Sequence, residues 1–163
     1  ASQEIEKLWL IQGDGPLGRE ELTRAISDSA RFDLFDLPDA ALAGDRVRVN
    51  RILNGLAAEG TPAPLVLWVL MRELRMLAAA AFGARRGAAG LSAVLNAHKV
   101  WESRRGAVEA TMRRLPLPEL HRLLECCAQV DRQIKGLDRG DPWLGLSLIG
   151  DGLASGETAR LIG

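Results

Sequence analysis

An all-α fold is what this sequence predicts, and three observations predict it. Tyrosine is absent, β-branched residues are few, and no run alternates apolar with polar residues between hairpin turns, so the signals of strands are missing. Apolar residues instead recur three or four positions apart through most of the chain. Prolines and glycines fall between those runs and cut them into helices joined by short loops, which makes most sequential neighbours antiparallel.

Taken in order, Ile5, Leu8 and Trp9 suit the end of a helix stopped by the turn GDGPLG. Leu17 to Ile26 suit a short helix with Glu20 and Glu21 near its positive N-terminus. The stretch RFDLFDLPDAALAGD at 31–45 holds two of the three phenylalanines, Phe32 and Phe35, and reads as extended at its start. Pro38 then opens a short helix over 37–43, where its missing N–H costs nothing, and Gly44 ends it. Asp45 is placed to cap a helix over about 46–59, with Val49, Ile52, Leu53 and Leu56 on one stripe.

Gly60 stops that helix, and Pro62 and Pro64 restart the chain into the longest one, about 63–83. It is apolar nearly all round from Leu65 to Leu70, which predicts a central position with Leu65, Leu67, Trp68, Leu70 and Leu74 at the heart of the core. GARRGAAG at 83–90 reads as a flexible basic connector. Helices over 91–98, 100–114 and 117–136 follow, the last two parted by LPLPE, whose prolines forbid a continuous helix. The turn KGLDRGDP leads to a closing helix from Trp143 to about Ala154.

The 163 residues suit one domain, or one domain with a piece of another. Lys plus Arg and Asp plus Glu both number 21, so no global field draws the chain to nucleic acid or membrane, and any anion-binding surface is local. The longest apolar run, PAPLVLWVLM, meets Arg72, Glu73 and Arg75 too soon to span a membrane. The chain opens ASQEIEKLWLIQ, without an initiator methionine and as though inside a helix, so a fragment of something longer is expected.

Catalytic chemistry finds little support. Cys126 and Cys127 are neighbours whose side chains diverge by about 100° on a helix and are not easily bridged. With His98 and His121 they match no zinc spacing, so no metal is expected, and unbridged thiols fit a cytoplasmic setting. GDGPLG follows no strand and precedes no Lys-Ser or Lys-Thr, so it is no P-loop, and no nucleotide or other cofactor is expected. Glu20–Glu21 and Asp138–Asp141 have neither a histidine nor a nucleophile nearby. No catalytic residue is assigned, and the chain is not expected to be an enzyme.

One stretch, HKVWESRR at 98–105, sets Lys99, Arg104 and Arg105 around Trp101, the mixture of cations and aromatic face that single-stranded nucleic acid calls for. Trp101, Arg105, Val108 and Met112 also share one helical stripe, which suits a core or interface tryptophan equally. A free-standing helical nucleic-acid-binding domain acting through 98–105 is one reading, against which the neutral charge weighs. In DRQIKGLDRGDPW, Lys135 and Gly136 are explained by the end of a helix.

Three blocks, SARFDLFDLPDAALAGD at 29–45, APLVLWVLMRELRML at 63–77 and VDRQIKGLDRGDPWLGLSLI at 130–149, resemble the C-terminal third of the delta subunits of bacterial DNA polymerase III clamp loaders. HKVWESRR resembles a His-basic-Val-Trp-x-x-Arg-Arg stretch of the proteobacterial members, and the likeness covers nearly the whole chain in order. It implies that residues 1–30 end the small lid domain of an AAA+-like module and that 31–163 form a helical collar domain. Such a collar packs with those of the tau/gamma and delta-prime subunits in a five-membered ring that supports loading of the sliding clamp onto primed DNA. Phe32 and Phe35 would then pin the lid-to-collar junction. Lys99, Trp101, Arg104 and Arg105 would lie toward primer-template DNA. Clamp opening in this family belongs to the N-terminal domain. Where some members carry an aromatic residue near 138 or 139 this chain has Asp138 and Arg139, so the resemblance assigns no base stacking to that turn.

Overall fold

Seven helices and no strand make up residues 28–157, the part that a computed structural model of the chain describes. They are α1 (Asp28–Leu42), α2 (Arg46–Ala58), α3 (Ala63–Ala84), α4 (Ala88–Ala97), α5 (Glu102–Arg114), α6 (Leu117–Ile134) and α7 (Pro142–Ser155). The expected helices around Ile5–Trp9 and Leu17–Ile26, with the turn between them, lie outside the described residues, as does the side chain of Phe32.

The long apolar helix is central. Leu65, Leu67, Leu70 and Leu74 of α3 are at most 1% exposed and Trp68 is 9% exposed, as a helix apolar on all faces requires. α6, α4 and α7 pack on α3, while α1 lies against α2, α3 and α7. Asp45 caps α2 by accepting the Arg48 N–H at 3.0 Å. Asp141 likewise caps α7 through the Trp143 N–H at 2.9 Å. A two-pronged ion pair joins the start of α2 to α7, with Arg46 Nε and Nη2 donating to the Asp151 carboxylate at 2.7 and 2.9 Å.

Two expectations are corrected. The stretch before Pro38 is not extended: α1 runs unbroken from Asp28 to Leu42 with Pro38 inside it. Proline at that position deprives the Leu34 carbonyl of its i+4 donor and costs about 3 kcal/mol in a helix interior. Leu34, Leu37, Ala40, Ala41 and Leu42 are nonetheless 0–2% exposed, and burial worth about 1.5–3 kcal/mol for each large side chain outweighs that cost. The second correction concerns GARRGAAG. α3 continues to Ala84 and α4 begins at Ala88, so the connector shrinks to Arg85–Gly87. Its outer glycines serve a close crossing, because a Cβ on Gly83 would stand 2.9 Å from the Gly90 carbonyl oxygen and 2.8 Å from Val94 Cγ2.

Candidate nucleic-acid interface

α5 has little apolar surface to bury, with only Val108 and Thr111 fully covered, and polar contacts fasten it at both ends. At its C-terminal end Arg114 Nη2 donates to the Ala41 and Leu42 carbonyls at 2.8 and 2.9 Å, and the Thr111 hydroxyl lies 3.2 Å from the Leu42 oxygen. These are the last carbonyls of α1, which no intrahelical N–H reaches. Burial lowers the pKa of that arginine.

At the N-terminal end Arg104 is held between two carboxylates. Its Nε donates to Asp39 on α1 at 2.8 Å, and its Nη2 donates to Glu73 on α3 at 3.1 Å. Glu73 is buried at 7% exposed. Desolvation raises its pKa, and the charge and hydrogen bond of Arg104 act against that rise. Three helices are therefore joined through one guanidinium.

This anchorage positions an open cleft of about 640 Å³. Phe35, Pro38 and Asp39 of α1 form one wall, and Trp68, Arg72, Glu73 and Met76 of α3 line another. The link between α4 and α5 closes it with His98, Lys99, Val100 and Trp101, and Arg104 completes the lining. Val100 is buried at 6% exposed and ties the link to the core, whereas Trp101 beside it is 77% exposed. Trp101 stands at the N-cap of α5, ahead of the helix, so the core stripe through Arg105, Val108 and Met112 does not include it. The helix expected from 100 begins at Glu102.

The structure thus gathers Phe35, Lys99, Trp101 and Arg104 around one cleft. Arg105 is not among the lining residues: its guanidinium bonds Asn96 at 2.5 Å and lies 3.3 Å from Glu102. Sequence reasoning missed Arg72, whose guanidinium lies over the Trp68 ring at 5.6 Å, and missed the two acidic partners of Arg104. The signal available was Glu73 itself, a carboxylate inside the long apolar central helix, which demands a cation from elsewhere in the fold. Among the described residues neither Lys99 nor Arg72 forms an ion pair. Arg72 is engaged with the Trp68 ring and its charge acts on Glu73, so the arrangement offers an indole face and the cation of Lys99, the means of stacking a base and holding a phosphate. Among the described residues no helix is long and apolar enough to cross a membrane.

Helices packed around an apolar central one, with a cleft of cations, carboxylates and aromatic rings at their side, define an all-α module. A family model described as "Processivity clamp loader gamma complex DNA pol III C-term" matches residues 34–149, and the chain belongs to that family. It is 31% identical over 136 residues to DNA polymerase III subunit delta of Escherichia coli strain K12, covering 82% of this chain and 38% of that protein. It is 26% identical over 152 residues to the same subunit of Haemophilus influenzae, covering 89% of this chain and 44% of that protein. The chain spans about two fifths of the length of these curated relatives.

Proposed function

We propose that this chain is the assembly part of a clamp-loader delta subunit. Residues 1–30 end a lid domain of AAA+ type, and 31–163 form a collar domain that packs beside those of the tau/gamma and delta-prime subunits. The observation that carries this reading is the family match over 34–149, which takes in residues of every helix from α1 to α7. Phe32 and Phe35, at the start of the collar, pin the lid-to-collar junction. Phe35 is half-buried, packs against the core and lines the cleft. The sliding clamp is met through the N-terminal domain of the whole subunit. Size-exclusion chromatography with the partner loader subunits tests the assembly role: comigration is expected, and separate elution overturns it.

A second role follows from the 77% exposure of Trp101. In the assembled loader its indole stacks on an unpaired base of primer-template DNA, with cations of the cleft on the phosphates. The equal numbers of acidic and basic residues favour contact within a larger complex over a free-standing DNA-binding domain. Nanomolar binding of single-stranded DNA by the isolated chain at physiological salt would favour the free-standing domain instead.

A further inference from the structure

Most of α3 is buried, but its second half keeps one face at the surface. Arg75, Ala78, Ala79, Phe82 and Arg86 fall three or four residues apart along that half and share one helical stripe. The middle of the stripe is apolar: Ala78 and Ala79 are half-buried and Phe82 is 52% exposed. Its ends are basic, with Arg75 at one and Arg86 beside Arg85 at the other. Among the described residues none of these three arginines forms an ion pair, although the chain carries as many acids as bases. The face is separate from the cleft, whose lining along α3 stops at Met76 and includes none of these five residues. It is also built in advance. The Arg86 guanidinium lies over the Phe82 ring at 5.3 Å, and its stem passes α4 so closely that a Cβ on Gly90 would stand 2.8 Å from Arg86 Cβ. A guanidinium held this way loses little freedom when a partner arrives.

We propose that this face of α3 docks a helix of a neighbouring loader subunit, whose carboxylates meet Arg75 at one end and Arg85 or Arg86 at the other while its small apolar side chains cover Ala78, Ala79 and Phe82. The inference rests on the assembly reading given above and names the surface and the chemistry of its partner. An apolar, aromatic centre with arginine at its margin is how protein interfaces divide their area, and the free guanidinium edges suit two-pronged pairing with carboxylates. The spacing sets the partner's register. Ten or eleven residues of helix separate the basic ends, a rise of about 15–17 Å, so a helix lying alongside meets both with two acidic residues three turns apart. A phosphate backbone fits the face less well. It carries about one charge every 3.4 Å along each strand, and several of those charges would lie over Ala78, Ala79 and Phe82 with no cation opposite. Arg86 already covers a face of the ring on which a base would stack.

The test uses the full-length subunit and the reassembled loader. Wild type, Arg75→Glu/Arg86→Glu and Arg75→Lys/Arg86→Lys are compared by size-exclusion chromatography and by affinity for the partner loader subunits across a salt series. The glutamate pair is expected to melt with wild type, because both side chains are exposed, and to bind the partners at least about tenfold more weakly, with the gap closing as salt rises. The lysine pair keeps the charge but not the planar fork, and its affinity falls between the two. In parallel, a photo-crosslinking phenylalanine analogue at position 82 is expected to join the subunit to a neighbouring one at a segment bearing carboxylates. Failure of the wild type to assemble overturns the assembly reading and this inference with it. Wild-type affinity in the glutamate pair overturns the docking face alone. If the glutamate pair does not fold, the crosslink decides, and its absence, or its formation to DNA, overturns the proposal. Unaltered assembly with weakened primer-template binding assigns the arginines to phosphates and also overturns it.

Discussion

Arg104 and Trp101 are three residues apart and have opposite fates. Arg104 is 29% exposed and committed to two carboxylates, so its loss falls first on the fold. Arg104→Met keeps the aliphatic stem but leaves Glu73 buried without its cation, at a cost of about 1–3 kcal/mol near neutral pH. The cost is pH-dependent. The folded pKa of Glu73 is already raised by burial against the pull of Arg104, so the folded state binds the proton more tightly than the unfolded chain. This group therefore favours the fold at low pH and loses that contribution as pH rises from the unfolded pKa to the folded one. Removing Arg104 raises the folded pKa further. The deficit of Arg104→Met should grow between about pH 5 and about pH 8 and shrink in acid, as thermal melts at both pH values would register. A deficit independent of pH would place the loss in packing. Trp101→Ala should leave stability within about 0.5 kcal/mol, because its side chain is exposed, while weakening primer-template binding in the assembled loader by on the order of 1–3 kcal/mol. Cys127 needs no function to explain it: burial pushes its thiol up to about 12. It should stay unreactive toward thiol reagents at neutral pH until the chain unfolds, whereas rapid modification of the folded protein would contradict its burial.

At the scale of elements, the glycines divide by surroundings. Gly83 in α3 and Gly90 in α4 face each other so closely that a Cβ on Gly83 meets the backbone of Gly90 at 2.9 Å. Gly55 in α2 and Gly106 in α5 have nothing within 4 Å of the added Cβ. Alanine at Gly83 is therefore expected to cost about 1–3 kcal/mol by forcing α3 and α4 apart. Alanine at Gly55 or Gly106 should stabilise by roughly 0.5–1 kcal/mol, since only the backbone entropy term remains. Chemical denaturation of the three variants checks both signs, and equal effects at all three sites would mean that the crossing of α3 and α4 is loose. α5 shows a different economy. Tied by Arg104 at one end and Arg114 at the other, it holds the start of its own helix, and with it Trp101, in place with few apolar contacts.

For the whole molecule, α3 is the element on which the others depend, and Leu70 is 0% exposed at its centre. Leu70→Ala should cost about 2–5 kcal/mol in equilibrium unfolding. A loss under about 1 kcal/mol would make the long helix peripheral to the fold. The same variant, where still folded, should comigrate with partner loader subunits, because Leu70 lies inside and any interface lies outside.

Much of this was legible along the chain, because helix periodicity, prolines at first turns and Asp caps act locally. Asp45, Pro62 and Pro116 stand at the helix starts that their local chemistry implies, and the apolar belt of Leu65–Leu70 announced its own burial. HKVWESRR likewise marked the mixture of charge and indole at the cleft. What local rules could not decide was each case in which a distant contact outweighed a local preference. Burial of Leu34 and Leu37 carried α1 through Pro38, and the approach of Gly90 turned an apparent flexible connector into a crossing. Asp39 and Glu73, 65 and 31 residues away in sequence, took Arg104 out of the set of free cations. The indole of Trp101 was left outside because α5 begins one residue after it. Sequence spacing assigns residues to a stripe on a helix, but only the packed chain decides where that helix starts and which charges already have partners.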